Sequence, residues 1–154
     1  MASILGASQP HAASGRASLA ATADAIRAGL AAGLGAGLGA GLGDPYALRA
    51  IIQASDDFTA LAEADARQAF LAEPPSTGDG RYDALLAALA VHLCIRAGLP
   101  TTPQWTRGPE RYQDRVWWFG LPDGSGLRAY VLQRTPACFQ ARGVMFDITN
   151  LDSV

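Results

Sequence analysis

Two polar side chains within an otherwise apolar segment are the first candidates for chemistry. His92 and Arg96 lie four residues apart in RYDALLAALAVHLCIRAGLP, residues 81–100, so a helix would place them on one face. The planar arginine fork beside an imidazole is suited to recognition of a carboxylate or phosphate. In the alternative interpretation, Arg96 neutralises the C-terminal end of the helix and His92 bonds to a backbone group. The residues alone leave both interpretations open.

The remaining reactive side chains do not form a catalytic or metal-binding pattern. Cys94 lies two residues from His92, and on a helix their side chains diverge by about 200°. Cys138 has arginines nearby that could lower the pKa of its thiol, but it is also a typical small core residue. His11 is in an Ala/Ser/Gly-rich segment. A metal site needs three or four converging ligands, so we expect no enzyme activity, no metal and no cofactor.

A segment rich in arginine and tryptophan, residues 105–118, is the second candidate site. Such residues can fill a core, contact a protein partner or stack on nucleic-acid bases. Glu110 and Asp114 interrupt the positive charge of this segment, which disfavours nucleic acid. The predicted binding residues are those of the segment together with the first pair: Trp105, Arg107, Arg111, Arg115, Trp117, Trp118, His92 and Arg96.

Composition restricts the class of protein further. The 154 residues include twelve basic residues, all arginine, against fourteen acidic ones, giving a net charge of −2. Residues 1–80 carry four Arg and eight Asp/Glu, whereas residues 81–154 carry eight Arg and six Asp/Glu. Neither half has the strong positive charge of a dedicated nucleic-acid-binding domain. No secretory signal or membrane-spanning run is evident, so we expect a cytoplasmic protein without a membrane partner.

The elements that must position these residues are mainly helical. The segment 82–97 is apolar around most of its circumference, which is typical of a helix buried in the middle of a domain. Asp79 is placed to cap its start, Gly98 to end it in the left-handed conformation, and Pro100 to prevent its continuation. Before it, we predict helices over about 20–32, 46–54 and 56–72.

A four-residue repeat, GLAA-GLGA-GLGA-GLGD over residues 29–44, separates the first two of these helices. Each glycine inside a helix costs roughly 0.5–1 kcal/mol relative to alanine. The repeat is therefore predicted to be a linker, with a glycine-rich helix packed on a partner as the alternative. We predict three segments: a flexible arm over residues 1–44, a helical segment over 45–75 and a helical core domain over 76–154.

The last third of the chain is predicted from shorter patterns. Pro109 is expected to begin a helix that ends at Gly120, and residues 127–133 are expected to be helix rather than strand. Thr135 and Pro136 resemble the cap and first residue of a short helix that ends at Gly143. Residues 144–148 are expected to be extended, and the tail NLDSV to form a last turn.

Several motifs of the C-terminal half resemble a bacterial domain. They are ALLAALAVHL…AGLP, PQWT, WWF, LRA, TPACFQARGVMF and NLDSV, spanning about residues 81–154. The domain often follows an N-terminal helix-turn-helix of the phage-repressor type in uncharacterised regulators and antitoxin-like proteins. The N-terminal half of this chain lacks that helix-turn-helix, and the glycine repeat stands in its place.

The resemblance and the lack of a reactive site together favour a non-enzymatic protein-binding or regulatory module. One form of this function is the antitoxin-like member of a bacterial two-protein system, whose partner would be the product of the adjacent gene. The alternatives are a DNA-binding transcriptional regulator, and a small-anion-binding domain or enzyme that uses His92 and Arg96.

Overall fold

The structure, a computed structural model, describes residues 16–32 and 45–152. The fold is mainly α-helical, as predicted. Along the described chain run the α-helices α1 (Leu19–Ala31), α2 (Pro45–Ala60), α3 (Ala64–Phe70), α4 (Gly80–Arg96), α5 (Arg128–Arg134) and α6 (Ala137–Gln140) and the strands β1 (Trp117–Trp118) and β2 (Val144–Met145). Short 3₁₀ helices occupy Gln104–Arg107, Pro109–Arg111 and Ile148–Leu151.

Helix α4 is the centre of the fold, which confirms the prediction for residues 82–97. Every residue from 82 to 90 is buried, and Leu93 and Cys94 are buried one turn later. The Asp79 side chain accepts a hydrogen bond from the Arg81 amide at 2.9 Å and so caps the helix. Gly98 has a φ of +66°, the left-handed conformation expected past the helix end. Ile95, predicted to be part of the apolar surface, is 64% exposed.

Helices α1 and α2 pack against each other and against α4. Ser18 caps α1 by accepting a hydrogen bond from the Ala21 amide at 3.1 Å, and the helix spans nearly the predicted range. Its buried side chains include Leu19 and Ile26. The Arg27 guanidinium donates to the Ser76 carbonyl, so α1 is attached to the loop before α4. The predictions for the glycine repeat from residue 33 to 44, and for the arm before residue 16, lie outside the described residues.

The predicted division into helices 46–54 and 56–72 is wrong. Helix α2 continues through Ser55 to Ala60, because Ala54, Ser55 and Phe58 all face the core. Burial of this face outweighs the tendency of serine and aspartate to cap a new helix. The break comes at residue 61 instead, and α3 is a separate helix of seven residues.

The predicted helix from Pro109 to Gly120 is also wrong. Only Pro109–Arg111 is helical, as a single 3₁₀ turn, and the chain then extends into β1. Extended chain places Trp117 and Phe119 on one face, where their rings lie 5.4 Å apart and contact Tyr82 and Phe146 respectively. A helix would direct residues two apart to different sides.

The predictions for the last thirty residues are mostly confirmed. Helices α5 and α6 form, Gly143 ends the second one with a φ of +73°, and Val144 and Met145 are extended. Thr135 is not a helix cap, however. Its hydroxyl donates to the Val131 carbonyl at 2.8 Å and accepts from the Phe146 amide at 3.1 Å.

One hydrophobic core draws on the described residues of all three segments predicted from the sequence, 1–44, 45–75 and 76–154. Phe139 and Phe146 stack in it with centroids 5.4 Å apart, and Phe58 and Phe70 form a second ring pair. Among the residues that the structure describes, no helix is long and apolar enough to cross a bilayer.

Candidate binding surfaces

His92 and Arg96 lie on the same side of α4 but do not form a common pocket. The His92 ring meets Phe139 edge-on with centroids 6.0 Å apart, and its Nε2 is buried without a hydrogen-bond partner among the described residues. The backbone bond expected for this nitrogen is therefore not formed. Burial lowers the pKa of His92, and the neighbouring Arg96 lowers it further, against a smaller opposing effect of Asp152. His92 is thus a neutral, core-facing imidazole near pH 7.

Arg96 instead lines a small pocket with Arg67 of α3. Phe58, Thr59, Leu93 and Ala97 complete the lining of this pocket, which has a volume of about 170 Å³. Arg96 Nη1 also lies 3.9 Å from Asp152 Oδ1, and both side chains are well exposed to solvent. A pair this long and this exposed contributes little to stability.

Trp105 and Arg111 have a structural role, since both contact the loop before α4. Trp105 Nε1 donates to the Leu71 carbonyl at 2.9 Å, and the Arg111 guanidinium carbon lies 4.8 Å from the centre of the Trp105 ring. Arg111 is 4% exposed and its Nη2 is 3.4 Å from Glu73 Oε1. The Arg111 guanidinium therefore connects the 3₁₀ helix Pro109–Arg111 to Glu73 in the loop before α4. Because it is buried, it is not available to a binding partner.

Trp105 also lines a wider groove. Leu71, Leu99 and Pro103 contribute its apolar lining, and Arg67 and Gln68 contribute polar groups. Arg107, on the next turn of chain, is exposed and its Nη2 is 3.5 Å from Thr102 Oγ1.

Trp117 and Trp118 form β1, one of the two strands of the parallel sheet, and Arg115 lies two residues before it. The amide of Trp117 in β1 donates to the Gly143 carbonyl at 2.8 Å, and the amide of Phe119, directly after β1, donates to the Met145 carbonyl at 3.0 Å. Parallel pairing uses alternate residues of a strand. The N–H and C=O of Val116 and the N–H of Trp118 are therefore directed away from β2. We call this outward side of β1, with the side chains of residues 112–118, the edge surface.

The edge surface is partly apolar and exposed. Val116 is 54% exposed and Tyr112 is 40% exposed, and Arg115 is exposed between them. A shallow groove at this place is lined by residues 112–117 together with Arg81 from the first turn of α4.

Guanidinium groups flank the tryptophans of the edge surface. The Arg81 guanidinium carbon lies 5.3 Å from the Trp117 ring centre, and that of Arg128 lies 5.3 Å from the Trp118 ring. Arg81 also pairs with Asp79 at 2.8 Å. The hydrogen bond between them is the main reason why the pKa of Asp79 is lowered and that of Arg81 is raised.

The two thiols are protonated in this environment. Burial raises the pKa of Cys94, and it raises that of Cys138 more than the nearby Arg142 lowers it. Cys138 Sγ lies 3.8 Å from the Ala88 carbonyl. Among residues 16–32 and 45–152, no group of three His, Cys, Asp or Glu side chains converges to hold a metal.

Sequence reasoning missed Arg67, Arg81, Tyr112 and Val116 as surface binding candidates. Arg67 resembles an ordinary solvated residue of an amphipathic helix, and its proximity to Arg96 is a tertiary feature. A signal was present for Val116, since it is a β-branched residue preceding two tryptophans and therefore favours extended chain.

Comparison of this chain with protein-family models, with curated proteins and with solved structures finds no match.

Proposed function

We propose that this chain is a non-enzymatic, cytoplasmic protein-binding module that receives an extended segment of a partner protein along the edge surface. The observation that carries the proposal is the outward direction of the N–H groups of Val116 and Trp118, at the half-buried strand β1 and the exposed Val116 that precedes it. A strand edge of this kind is a template for pairing with another chain. In β-strand addition, the main-chain hydrogen bonds provide affinity and the flanking side chains provide specificity.

The chemistry of the edge surface favours an acidic segment with alternating apolar residues. Arg81 and Arg115 line the groove against a single acidic residue, Asp114, which leaves an excess of one positive charge. Acidic side chains would complement this excess, while the exposed Val116 would contact the apolar residues. Arginine, tyrosine and tryptophan are also the residue types that contribute most to binding at protein interfaces.

The regulatory role that we propose is that of the antitoxin-like member of a bacterial two-protein system. Its support is the resemblance of residues 81–154 to regulator-associated domains, together with the protonated state of the Cys94 and Cys138 thiols and the neutral state of the His92 imidazole near pH 7. The partner to test first is the product of the adjacent gene.

A pair of substitutions at Val116 tests the proposal. Val116→Pro removes the outward N–H but leaves the amides of Trp117 and Phe119, which pair with β2, unchanged. Val116→Thr keeps both the N–H and the β-branched shape. In sedimentation experiments with the adjacent gene product, we expect a complex at micromolar concentration, a Kd raised about tenfold or more by proline, and little change with threonine.

Two results would contradict the proposal. The first is that no complex forms at micromolar concentration. The second is that the proline variant, with an unchanged amide spectrum outside residues 114–118, binds as tightly as the threonine variant.

A further inference from the structure

The sequence contains two Asp-Gly pairs, Asp79-Gly80 and Asp123-Gly124. In such a pair the residue after aspartate has no side chain to shield its amide nitrogen, so this nitrogen can attack the carboxyl carbon of the aspartate. The five-membered ring that results is a succinimide. Because the two pairs have the same local chemistry, a difference in their reactivity comes from the structure around them.

The first pair is held by hydrogen bonds at the start of α4. The Asp79 carboxylate accepts from the amide of Arg81 at 2.9 Å and from its guanidinium at 2.8 Å. The Asp79 carbonyl accepts from the Asp83 amide at 3.1 Å, and the Gly80 carbonyl accepts from Gln113 Nε2 at 2.8 Å. Ring closure requires the Asp79 carboxyl carbon to leave the cap position and the peptide group to turn, and these bonds oppose both movements.

The second pair lies in the loop between β1 and α5 and lacks such contacts. The Asp123 side chain is 98% exposed, and its Oδ1 lies 3.9 Å from Arg128 Nη2, which is beyond hydrogen-bond distance. Among the residues that the structure describes, none forms a hydrogen bond with the Asp123 carboxylate or with the Gly124 N–H. Both reacting groups of this pair are therefore accessible.

The loop also has room for the movement that ring closure requires. Gly124 has a φ of +78°, and a β-carbon built on it would meet no atom within 4 Å. The turn is closed by the hydrogen bond from the Ser125 amide to the Pro122 carbonyl at 3.1 Å. Exposed loops of small residues have low local stability. The Asp123 carboxyl carbon can therefore approach the Gly124 nitrogen while the core stays folded.

We propose that Asp123 is a site of spontaneous covalent modification in the folded protein, where aspartate isomerises to isoaspartate. The Gly124 nitrogen bonds to Cγ of the Asp123 carboxyl group in its acid form, and the carboxyl OH leaves as water with the proton of the amide. A second water then adds to the main-chain carbonyl carbon of the ring, and the bond from this carbon to the nitrogen breaks. One water is lost and one is gained, so no oxidant or reductant takes part.

The product has a changed main chain directly before α5. The chain now runs through the former side chain of Asp123 and is longer by one methylene group, and the free carboxylate is attached directly to Cα. Arg128, the first residue of α5, lies against the ring of Trp118 on the edge surface. The modification is therefore near the edge surface but uses none of its residues, and its test does not depend on the function proposed above.

Incubation of the full chain at neutral pH, followed by tryptic digestion and mass spectrometry with electron-transfer fragmentation, tests the proposal. Asp79 and Asp123 fall in different tryptic peptides, residues 68–81 and 116–128. In the folded chain we expect isoaspartate to accumulate at Asp123 at least about ten times as fast as at Asp79, because charge-assisted hydrogen bonds must break before Asp79 reacts. In the chain unfolded by urea, the two residues should react at similar rates.

Gly124→Ala should slow the reaction at Asp123, since a β-carbon shields the attacking nitrogen. The rate at Asp79 in the same sample reports whether this variant is folded, because unfolding frees Asp79 to react. Three results would each overturn the proposal: equal accumulation at Asp79 and Asp123 in the folded chain, no accumulation at Asp123 in the folded chain when the unfolded chain reacts there, or a folded Gly124→Ala variant that reacts as fast as the original chain.

Discussion

Replacing Asp83 by alanine removes the acceptor of three hydrogen bonds in the loop before α4. Asp83 Oδ1 accepts from the Thr77 amide and from the Thr77 hydroxyl, both at 2.7 Å, and Oδ2 accepts from the Ser76 hydroxyl at 2.6 Å. Asp83 is 8% exposed and Thr77 is 2% exposed. The carboxylate therefore fixes the loop that also receives Arg27 of α1.

The expected loss of free energy of unfolding depends on which hydrogen-bond donors lose their acceptor when Asp83 is replaced. The buried Thr77 amide would be left without an acceptor, at a cost of about 1–3 kcal/mol. The Thr77 hydroxyl can turn to the Asp79 carbonyl, 3.0 Å away, and water can reach the exposed Ser76, so each of these losses costs about 1 kcal/mol or less. The total for Asp83→Ala is about 3 kcal/mol. Asp83→Asn keeps an oxygen for Thr77 and should cost about 1 kcal/mol.

Urea unfolding measures both costs. With a slope of about 2 kcal/mol per molar urea, the midpoint should fall by about 1.5 M for Asp83→Ala and by about 0.5 M for Asp83→Asn. Asp56→Ala, on an exposed turn of α2, is the control and should change stability by no more than about 0.5 kcal/mol. The reasoning is refuted if the alanine variant costs less than about 1 kcal/mol, or if the asparagine variant costs as much as the alanine variant.

Two further predictions concern pH and backbone conformation. Because burial lowers the pKa of His92 below the ordinary histidine value of about 6.5, the unfolded chain takes up the proton first as the pH falls, so thermal unfolding should show a loss of stability below about pH 6.5. His92→Leu should abolish this loss and His11→Gln should not; an equal loss in the His92 variant would contradict the prediction. Gly143→Ala should destabilise the chain by more than Gly124→Ala in urea unfolding, since both glycines have positive φ but only a Cβ at Gly143 would meet Gln113, at 3.1 Å. Equal costs at the two glycines would show that this close approach is relaxed without penalty.

The central helix could be predicted because local and tertiary signals agree there. Asp79, Gly98 and Pro100 mark its ends, and its apolar surface leaves no face for water. Where local and tertiary signals compete, prediction from the sequence failed. Ser55 is a good helix cap in isolation, but burial of Ser55 and its neighbours keeps α2 continuous.

The segment before β1 shows the same competition. Pro109 does begin a helical turn, but the rings of Trp117 and Phe119 pack on Tyr82 and Phe146, and this contact requires extended chain. The packing partners lie about 30 residues away in either direction. A local pattern does not contain this information.

The candidate surfaces were only partly accessible from the sequence. The Arg/Trp segment was found, yet its members serve different purposes: Trp105 and Arg111 stabilise the base of α4, whereas Arg115 lies on the exposed edge surface. Arg96 lines a pocket with Arg67 and not with His92, and this arrangement depends on how α3 packs. The outward peptide groups of Val116 follow from strand pairing with β2 and not from residue type.

Hydrogen exchange at individual amides tests the proposed binding mode most directly. In the free chain, the amides of Trp117 and Phe119 should be protected by their bonds to Gly143 and Met145, while those of Val116 and Trp118 should exchange quickly. On formation of the complex with the adjacent gene product, the Val116 and Trp118 amides should become protected. If a stable complex forms and these two amides continue to exchange as in the free chain, strand addition along β1 is contradicted.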